Sequence, residues 1–222
     1  MNKAILFDLD GTLLNTSEGI LDSVRYTLSV LSLPDLSDEI LLKFVGPPIQ
    51  HSLKQYAGLN NEQAQYGTNI FREYYKSKAL FKACLYPGIK EVLISLREMG
   101  VHVGVATYKR EDYAIELLQH FGIAEICHVI HGADNENKLT KSDIVELCIK
   151  ELGQDRNDVI LVGDTKHDAK GANDAHVGFI AVTWGFGYKD VNESIEYPCK
   201  AVVSTTNELK SVIECIVENP SE

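Results

Sequence analysis

Ala4-Ile5-Leu6-Phe7-Asp8-Leu9-Asp10-Gly11-Thr12 is the stretch that sets the reading of the whole chain. Four consecutive apolar residues run into two aspartates separated by one leucine, and then into a glycine. A run this continuous does not fit a strand with one wet face. It fits a strand covered on both faces, as in a parallel sheet. The D-x-D-G that follows has ordinary readings. As a calcium loop it lacks the third acidic ligand and the later glycine and glutamate. As a hairpin turn it needs an alternating strand next, and a helical pattern follows instead. A plain turn, or a strand that delivers acids to its carboxyl end, are the two readings left open here.

Similar short apolar runs recur downstream at Val101–Ala106, Val129–Ile130, Val159–Val162, Phe179–Val182 and Ala201–Val203. Amphipathic stretches separate them. Ile89–Met99 opens after Pro87-Gly88 and stops at Gly100, and Ile144–Leu152 stops at Gly153, both ordinary boundary signals. Strands alternating with helices predict an α/β fold, a doubly wound parallel sheet of Rossmann-like type. One spacing breaks the rhythm. The first strand ends at Asp8 and the second begins near Val101, far more than one crossover helix requires. Within that gap Ile20, Leu21, Val24, Leu28 and Leu31 share a helical face. Further helical patterns run through Ile40-Leu41-Phe44, Leu53–Tyr56 and Ile70–Tyr75, and the aromatic residues of 62–81 are expected in their core. The expected organisation is an α/β core of residues 1–15 and 85–222 with an inserted helical domain over 16–84.

Composition narrows the function. The chain has 222 residues, 45% hydrophobic and 24% charged, which is ordinary for a globular protein. Its formal net charge of −11 disfavours nucleic acid polymers and anionic membranes as partners. The apolar run Val177–Val182 is far short of the roughly 18 residues of a membrane span. An acidic cluster as early as Asp8 leaves no room for a signal-peptide core, so a cytoplasmic location is expected. Cysteines 84, 127, 148, 199 and 215 are odd in number and scattered, so reduced, buried thiols are expected rather than a disulfide framework or zinc site.

Gly163-Asp164-Thr165-Lys166-His167-Asp168 follows the strand Val159–Val162 just as Asp8-Leu9-Asp10 follows the first. Ligands of open α/β sheets bind beyond the carboxyl ends of the strands, so the two acidic clusters can meet in one crevice. Converging carboxylates repel unless a cation joins them, and an all-oxygen set shared with phosphate suits magnesium. Thr107, directly after Val101–Ala106, is placed to hold a phosphate oxygen, though threonine is common in such turns. Thr140-x-x-Asp143 is a capping box that puts Lys141 in the first turn of a helix. A cation there opposes the helix dipole, and a phosphate docked at the helix N-terminus would account for it. Lys138 competes for the same role. His128-x-x-His131 reads as flanking a strand. His167 is either a crevice or a solvated loop histidine. Gly46-Pro47-Pro48 reads as a helix-breaking turn, and Trp184-Gly185-Phe186-Gly187 as a glycine loop without a dinucleotide fingerprint.

These motifs in this order resemble the haloacid dehalogenase superfamily: Asp8-Leu9-Asp10-Gly11-Thr12, Ala106-Thr107, Lys141, and Gly163-Asp164-x-x-x-Asp168. The insertion stands where that family carries a small helical cap, and the likeness spans nearly the whole chain. Within the superfamily the chain looks most like the phosphoglycolate phosphatase group, with Tyr108 and Ser142 departing from its usual pattern. The resemblance implies a magnesium-dependent phosphatase acting on a small phosphorylated metabolite. It implies Asp8 as nucleophile and Asp10 as general acid and base. Thr107 and Lys141 would bind phosphate, and Mg²⁺ would be held by Asp8, Asp10 and Asp164 with Asp168 in support. Gly46, Pro47 and Pro48 would form a substrate-specificity loop. The expected assembly is a monomer or homodimer. A 5'-nucleotidase, a pyrophosphatase, a sugar phosphomutase or a silent phosphate-ligand-binding protein on this fold are the competing readings. Asp10 speaks against a dehalogenase, and Thr12 against a mutase.

Overall fold

The computed structural model describes residues 3–134, 138–190 and 195–218. Along the chain, β1 (Ala4–Phe7) leads to the short β2 (Leu14–Asn15), then to helices α1 (Ser17–Val30), α2 (Asp38–Leu42), α3 (Ile49–Ala57) and α4 (Asn61–Tyr74). The short β3 (Cys84–Leu85) pairs with β2 in a two-stranded sheet. There follow α5 (Ile89–Glu98), β4 (His102–Arg110), α6 (Glu111–His120), β5 (Val129–Ala133) and α7 (Lys141–Leu152). The chain continues through β6 (Val159–Gly163), α8 (Lys166–Asp174), β7 (Gly178–Val182), β8 (Ala201–Val203) and α9 (Thr206–Glu218). Two compact units result, Met1–Leu14 with Leu85–Glu222, and Asn15–Cys84.

The larger unit is built on a six-stranded sheet of order β5-β4-β1-β6-β7-β8 with every pairing parallel. This is the doubly wound α/β architecture. From β1 the chain first builds outward through β4 and β5, then returns to lay β6, β7 and β8 on the other side. Right-handed crossovers that reverse direction put their helices on opposite faces. Accordingly α5 and α9 pack together, while α7 and α8 pack together with the layer Ala4, Leu6, Val129, Leu161 and Phe179. All four residues of β1 are buried, which explains their unbroken apolar run. The reversal beside β1 creates a switch point at the carboxyl ends of β1 and β6, where side chains can enter without meeting a crossover.

The smaller unit is helical. Ile20, Val24 and Leu28 of α1 are buried, as the pattern requires, but Leu21 and Leu31 are half-buried. Ser23 and Thr27 fill the rest of that face. Each satisfies its hydroxyl by donating to the carbonyl one turn earlier, at 2.7 Å to Gly19 and 2.8 Å to Ser23. A capping box of Asn60 and Gln63 starts α4. Phe71 and Tyr75 enter the core of this unit. The expectation for the other aromatics is corrected: Tyr66 and Phe81 are 60% and 48% exposed. Residues spaced off the buried stripe cannot join it whatever their hydrophobicity.

Leu6 is wholly buried, whereas Leu147 on α7 is 38% exposed. Leu6→Ala is expected to cost about 2–5 kcal/mol through lost burial and a cavity. Leu147→Ala is expected to stay within ~0.5 kcal/mol. Urea unfolding of the two variants measures both.

Candidate active site

Parallel pairing aligns strand ends, and this alignment makes the site. Phe7 is paired with Val105 on one side and Val162 on the other. Asp8 is the next residue, and its N–H still donates to the Val162 carbonyl at 2.9 Å. Thr107 and Asp164 each stand two residues beyond those partners, so all three emerge at one edge. Gly11 has φ +86°, and a Cβ there would collide with the Asp164 carboxylate, so glycine at this position keeps the two loops in contact. The Trp184–Gly187 loop closes over the other side of Asp164. Asp164 Oδ2 accepts the N–H groups of Phe186 at 2.6 Å and Gly187 at 3.1 Å. Its buried Oδ1 has no hydrogen-bond partner among the described residues.

Lys141 is the first residue of α7, behind the capping box of Thr140 and Asp143. Its Nζ donates to Asp8 Oδ1 at 2.6 Å and forms an ion pair with Asp168 Oδ1 at 2.7 Å. The Lys141 N–H donates to the Tyr108 hydroxyl at 2.9 Å, and the ammonium lies 5.7 Å from the Tyr108 ring centre. Asp168 belongs to a second capping box. Its Oδ2 accepts the Thr165 hydroxyl at 2.6 Å and the Thr165 N–H at 3.0 Å. Carboxylate oxygens of Asp8, Asp164 and Asp168 lie within 4.8 Å of one another.

Thr107 was expected just past a strand; it lies inside β4, which runs on to Arg110 with an irregular register after Ala106. Thr107 is buried, and its Oγ1 accepts the Lys109 N–H at 3.2 Å. Lys109 Nζ in turn donates to Asp10 Oδ2 at 2.9 Å. Among the described residues, the buried charged side chains are Asp8, Asp10, Asp164, Asp168, Lys109 and Lys141. Four carboxylates against two ammonium groups leave a formal charge of −2. Burial, together with the charges of Asp168 and Asp10, pushes the Asp8 carboxyl up to about 6 against the pull of Lys141. Burial, then the charges of Asp168 and Asp8, pushes Asp164 up to about 8. For Lys141 burial works against the charge, but Asp168 and Asp8 outweigh it and raise its pKa.

Asp8, Asp10, Thr107, Lys141, Asp164 and Asp168 are therefore placed at the same sheet edge or bonded to residues that are. Lys138 is not among the buried charges; its backbone N–H donates to Asp134 at 3.1 Å. The His167 ring meets the Tyr108 ring edge-on at 6.1 Å, whereas His128 and His131 turn to Arg97 and to Glu111 and Glu151. Gly46, Pro47 and Pro48 belong to the helical unit, where they form the turn between α2 and α3. Gly46 has φ +100° and Pro48 caps α3. Of the thiols, only Cys148 is buried; Cys84 and Cys215 are exposed, contrary to expectation. Sequence reasoning missed Lys109, the support from Tyr108, and the Phe186–Gly187 amides. A lysine two residues after Thr107 in an otherwise buried strand was the one available signal.

The sequence pattern of the haloacid dehalogenase-like hydrolases matches residues 5–182, and the chain belongs to that family. It is 33% identical over 189 residues to a 5'-nucleotidase of Pseudomonas aeruginosa, covering 84% of this chain and 85% of that protein. It is 31% identical over 212 residues to the tyrosine-protein kinase PtkA of Mycobacterium tuberculosis, covering 95% and 72%. The crystal structure of a predicted phosphatase from Clostridium acetobutylicum superposes with a TM-score of 0.89 at 34% identity, covering 96% of this chain and 99% of that one. Within the family the chain is a phosphatase, a phosphoric monoester hydrolase. No described helix is long and apolar enough to cross a membrane.

The acid cluster sets a pH dependence of stability. Asp8 and Asp164 hold protons in the folded state up to about 6 and about 8, against 3.8 for both when unperturbed. Between those limits the folded state binds more protons than the unfolded one, so stability falls as pH rises. With a chelator present, the urea midpoint is expected to drop from about pH 5 to about pH 8. Asp164→Asn should flatten the drop, as measured by the same titration.

Proposed function

We propose that the protein is a magnesium-dependent phosphatase of a small phosphate monoester, working through an aspartyl-phosphate on Asp8. The observation that carries this reading is a carboxylate one residue past the central strand, held at 2.6 Å by a buried lysine inside an acid cluster of residual charge −2. Held at the strand end in this way, the Asp8 carboxylate is placed to serve as the nucleophile. Asp8 attacks phosphorus, the P–O bond to the leaving alcohol breaks, and Asp10 gives its proton to that oxygen. Water then attacks the aspartyl-phosphate. Its proton goes to Asp10, the bond from phosphorus to Asp8 breaks, and inorganic phosphate leaves. Lys141 and Thr107 stabilise charge on the phosphoryl oxygens.

The residues fit a hard divalent cation. Oδ1 of Asp164, without a hydrogen-bond partner among the described residues, is a buried acceptor atom beside the Asp8 and Asp168 oxygens. Such an atom is costly unless a cation meets it. The carboxylates of Asp8 and Asp164 and the carbonyl of Asp10 would hold Mg²⁺. Asp168, already bonded to Lys141 and Thr165, would support them. Bound there, magnesium supplies charge neutralisation that lets an anionic carboxylate approach an anionic phosphate.

The substrate class follows from the relatives. A phosphoglycolate-like or nucleotide monoester is the first reading, supported by the group the motifs resemble and by the nucleotidase name of one relative. The kinase name of another favours a second reading, in which a phenolic oxygen replaces water at the aspartyl-phosphate. Substrate choice is assigned to the helical unit through Gly46-Pro47-Pro48. Because the φ of Gly46 already demands glycine, the informative substitution is Pro47→Ala. It is expected to change the ratio of kcat/KM between phosphoglycolate and a nucleotide while a small aryl phosphate is hydrolysed nearly as before. Equal changes on all three would make the turn a folding element only.

Two further outcomes test the chemistry. Asp8→Asn is expected to reduce steady turnover to background while the urea midpoint stays measurable; sustained turnover would exclude covalent catalysis at Asp8. Magnesium is expected to raise the melting temperature of the wild type and not of Asp164→Asn. A panel of phosphoglycolate, nucleotides, pyrophosphate and sugar phosphates, with and without a tyrosyl peptide acceptor, separates the substrate classes.

A further inference from the structure

We propose that Lys109 is a positioning residue for Asp10, holding its carboxylate in one orientation toward the leaving group. The proposal rests on the reading of Asp10 as acid and base. Lys109 and Asp10 are 99 positions apart, and their side chains are 6% and 8% exposed. Burying an ammonium is expensive without a partner, and lysine is rarely found there by default. The other buried lysine, Lys141, is spent on Asp8 and Asp168. Lys109 is thus the cation assigned to Asp10.

The backbone explains how it gets there. Past Ala106 the pairing of β4 with β5 becomes irregular, and the Lys109 N–H turns back to Thr107 Oγ1 at 3.2 Å. Thr107, a proposed phosphate ligand, and Lys109 therefore form one local unit. An ammonium carries donors only. With Nζ at 2.9 Å from Oδ2, that oxygen is held as an acceptor, and the Asp10 carboxylate is kept in one orientation. Rotation about the Cβ–Cγ bond, which would exchange the two oxygens, is arrested. Misorientation of a general acid by one rotation loses proton transfer without losing substrate binding. In this proposal Lys109 acts through Asp10.

The test compares two esters by single-turnover and steady-state kinetics with magnesium present. One is an alkyl phosphate, whose leaving oxygen needs a proton. The other is p-nitrophenyl phosphate, whose leaving group needs none. Lys109→Met is expected to lower kcat on the alkyl ester about 10²-fold, the usual scale for a general acid. KM should hardly change, and phosphoenzyme formation from the aryl ester should fall less than about tenfold. Adding Lys109→Met to Asp10→Asn should cost nothing further, because the two act as one unit. Equal losses on both esters, or fully additive losses, would overturn the proposal. If Lys109→Met does not fold, Lys109→Gln, which keeps an N–H donor, is put through the same comparison. Asp10→Asn alone separates the two failures. If it shows no ester-dependent loss, the acid role of Asp10 is wrong; if it does and the Lys109 variants do not, only the positioning role is wrong.

Discussion

Charge compensation in a space closed to water is the constraint on which this structure turns. Asp8, Asp10, Asp164 and Asp168 are all buried, and each would repel the others if left alone. Lys141 joins Asp8 to Asp168, Lys109 meets Asp10, and amides of Phe186 and Gly187 meet one oxygen of Asp164. What these contacts leave uncompensated is concentrated on Asp164 Oδ1 and on the raised proton affinities of Asp8 and Asp164. Such residual strain is typical of sites built to take up a further cation and an anionic group. The interior elsewhere can be apolar because the charged work is confined to one edge.

That confinement is a product of the sheet. Parallel strands all present their carboxyl ends on one side, and reversal of the winding beside β1 opens that side between β1 and β6. Asp8, Asp10 and Asp164 sit one to three positions beyond strands that are themselves buried, and Asp168 lies in the first turn of the helix that follows β6. The strands are therefore rigid supports, and their loops are short. Capping boxes at Thr140 and Thr165 add a second layer of order, since Asp168 serves at once as the helix cap partner and as the ion-pair partner of Lys141. A residue with two such duties has little rotational freedom. Its geometry is fixed before any ligand arrives.

The helical unit has a different logic. Its core is held by aliphatic and aromatic side chains and by hydroxyls that return to their own helix, with no buried charged residue among those described. The Gly46-Pro47-Pro48 turn is stiff because of its own backbone, with glycine at positive φ and proline fixed in φ.

The sequence by itself determined the alternation of strands and helices, and it put forward the long insertion after the first strand and Asp8, Asp10, Thr107, Asp164 and Asp168 as candidate site residues. It could do so because continuous apolar runs, capping boxes and acids at strand ends are local patterns. A buried strand announces itself within four residues, as Ala4–Phe7 does. Tertiary structure alone decided the rest. It brought the Lys141 ammonium to Asp8 while leaving Lys138 exposed, and it extended β4 past Thr107 to bring Lys109 to Asp10. It also gave the Trp184–Gly187 loop its task as a donor to Asp164. Those contacts join residues from 22 to 133 positions apart. No periodicity links such distant positions, because their proximity depends on strand order and on the side to which the chain turns back.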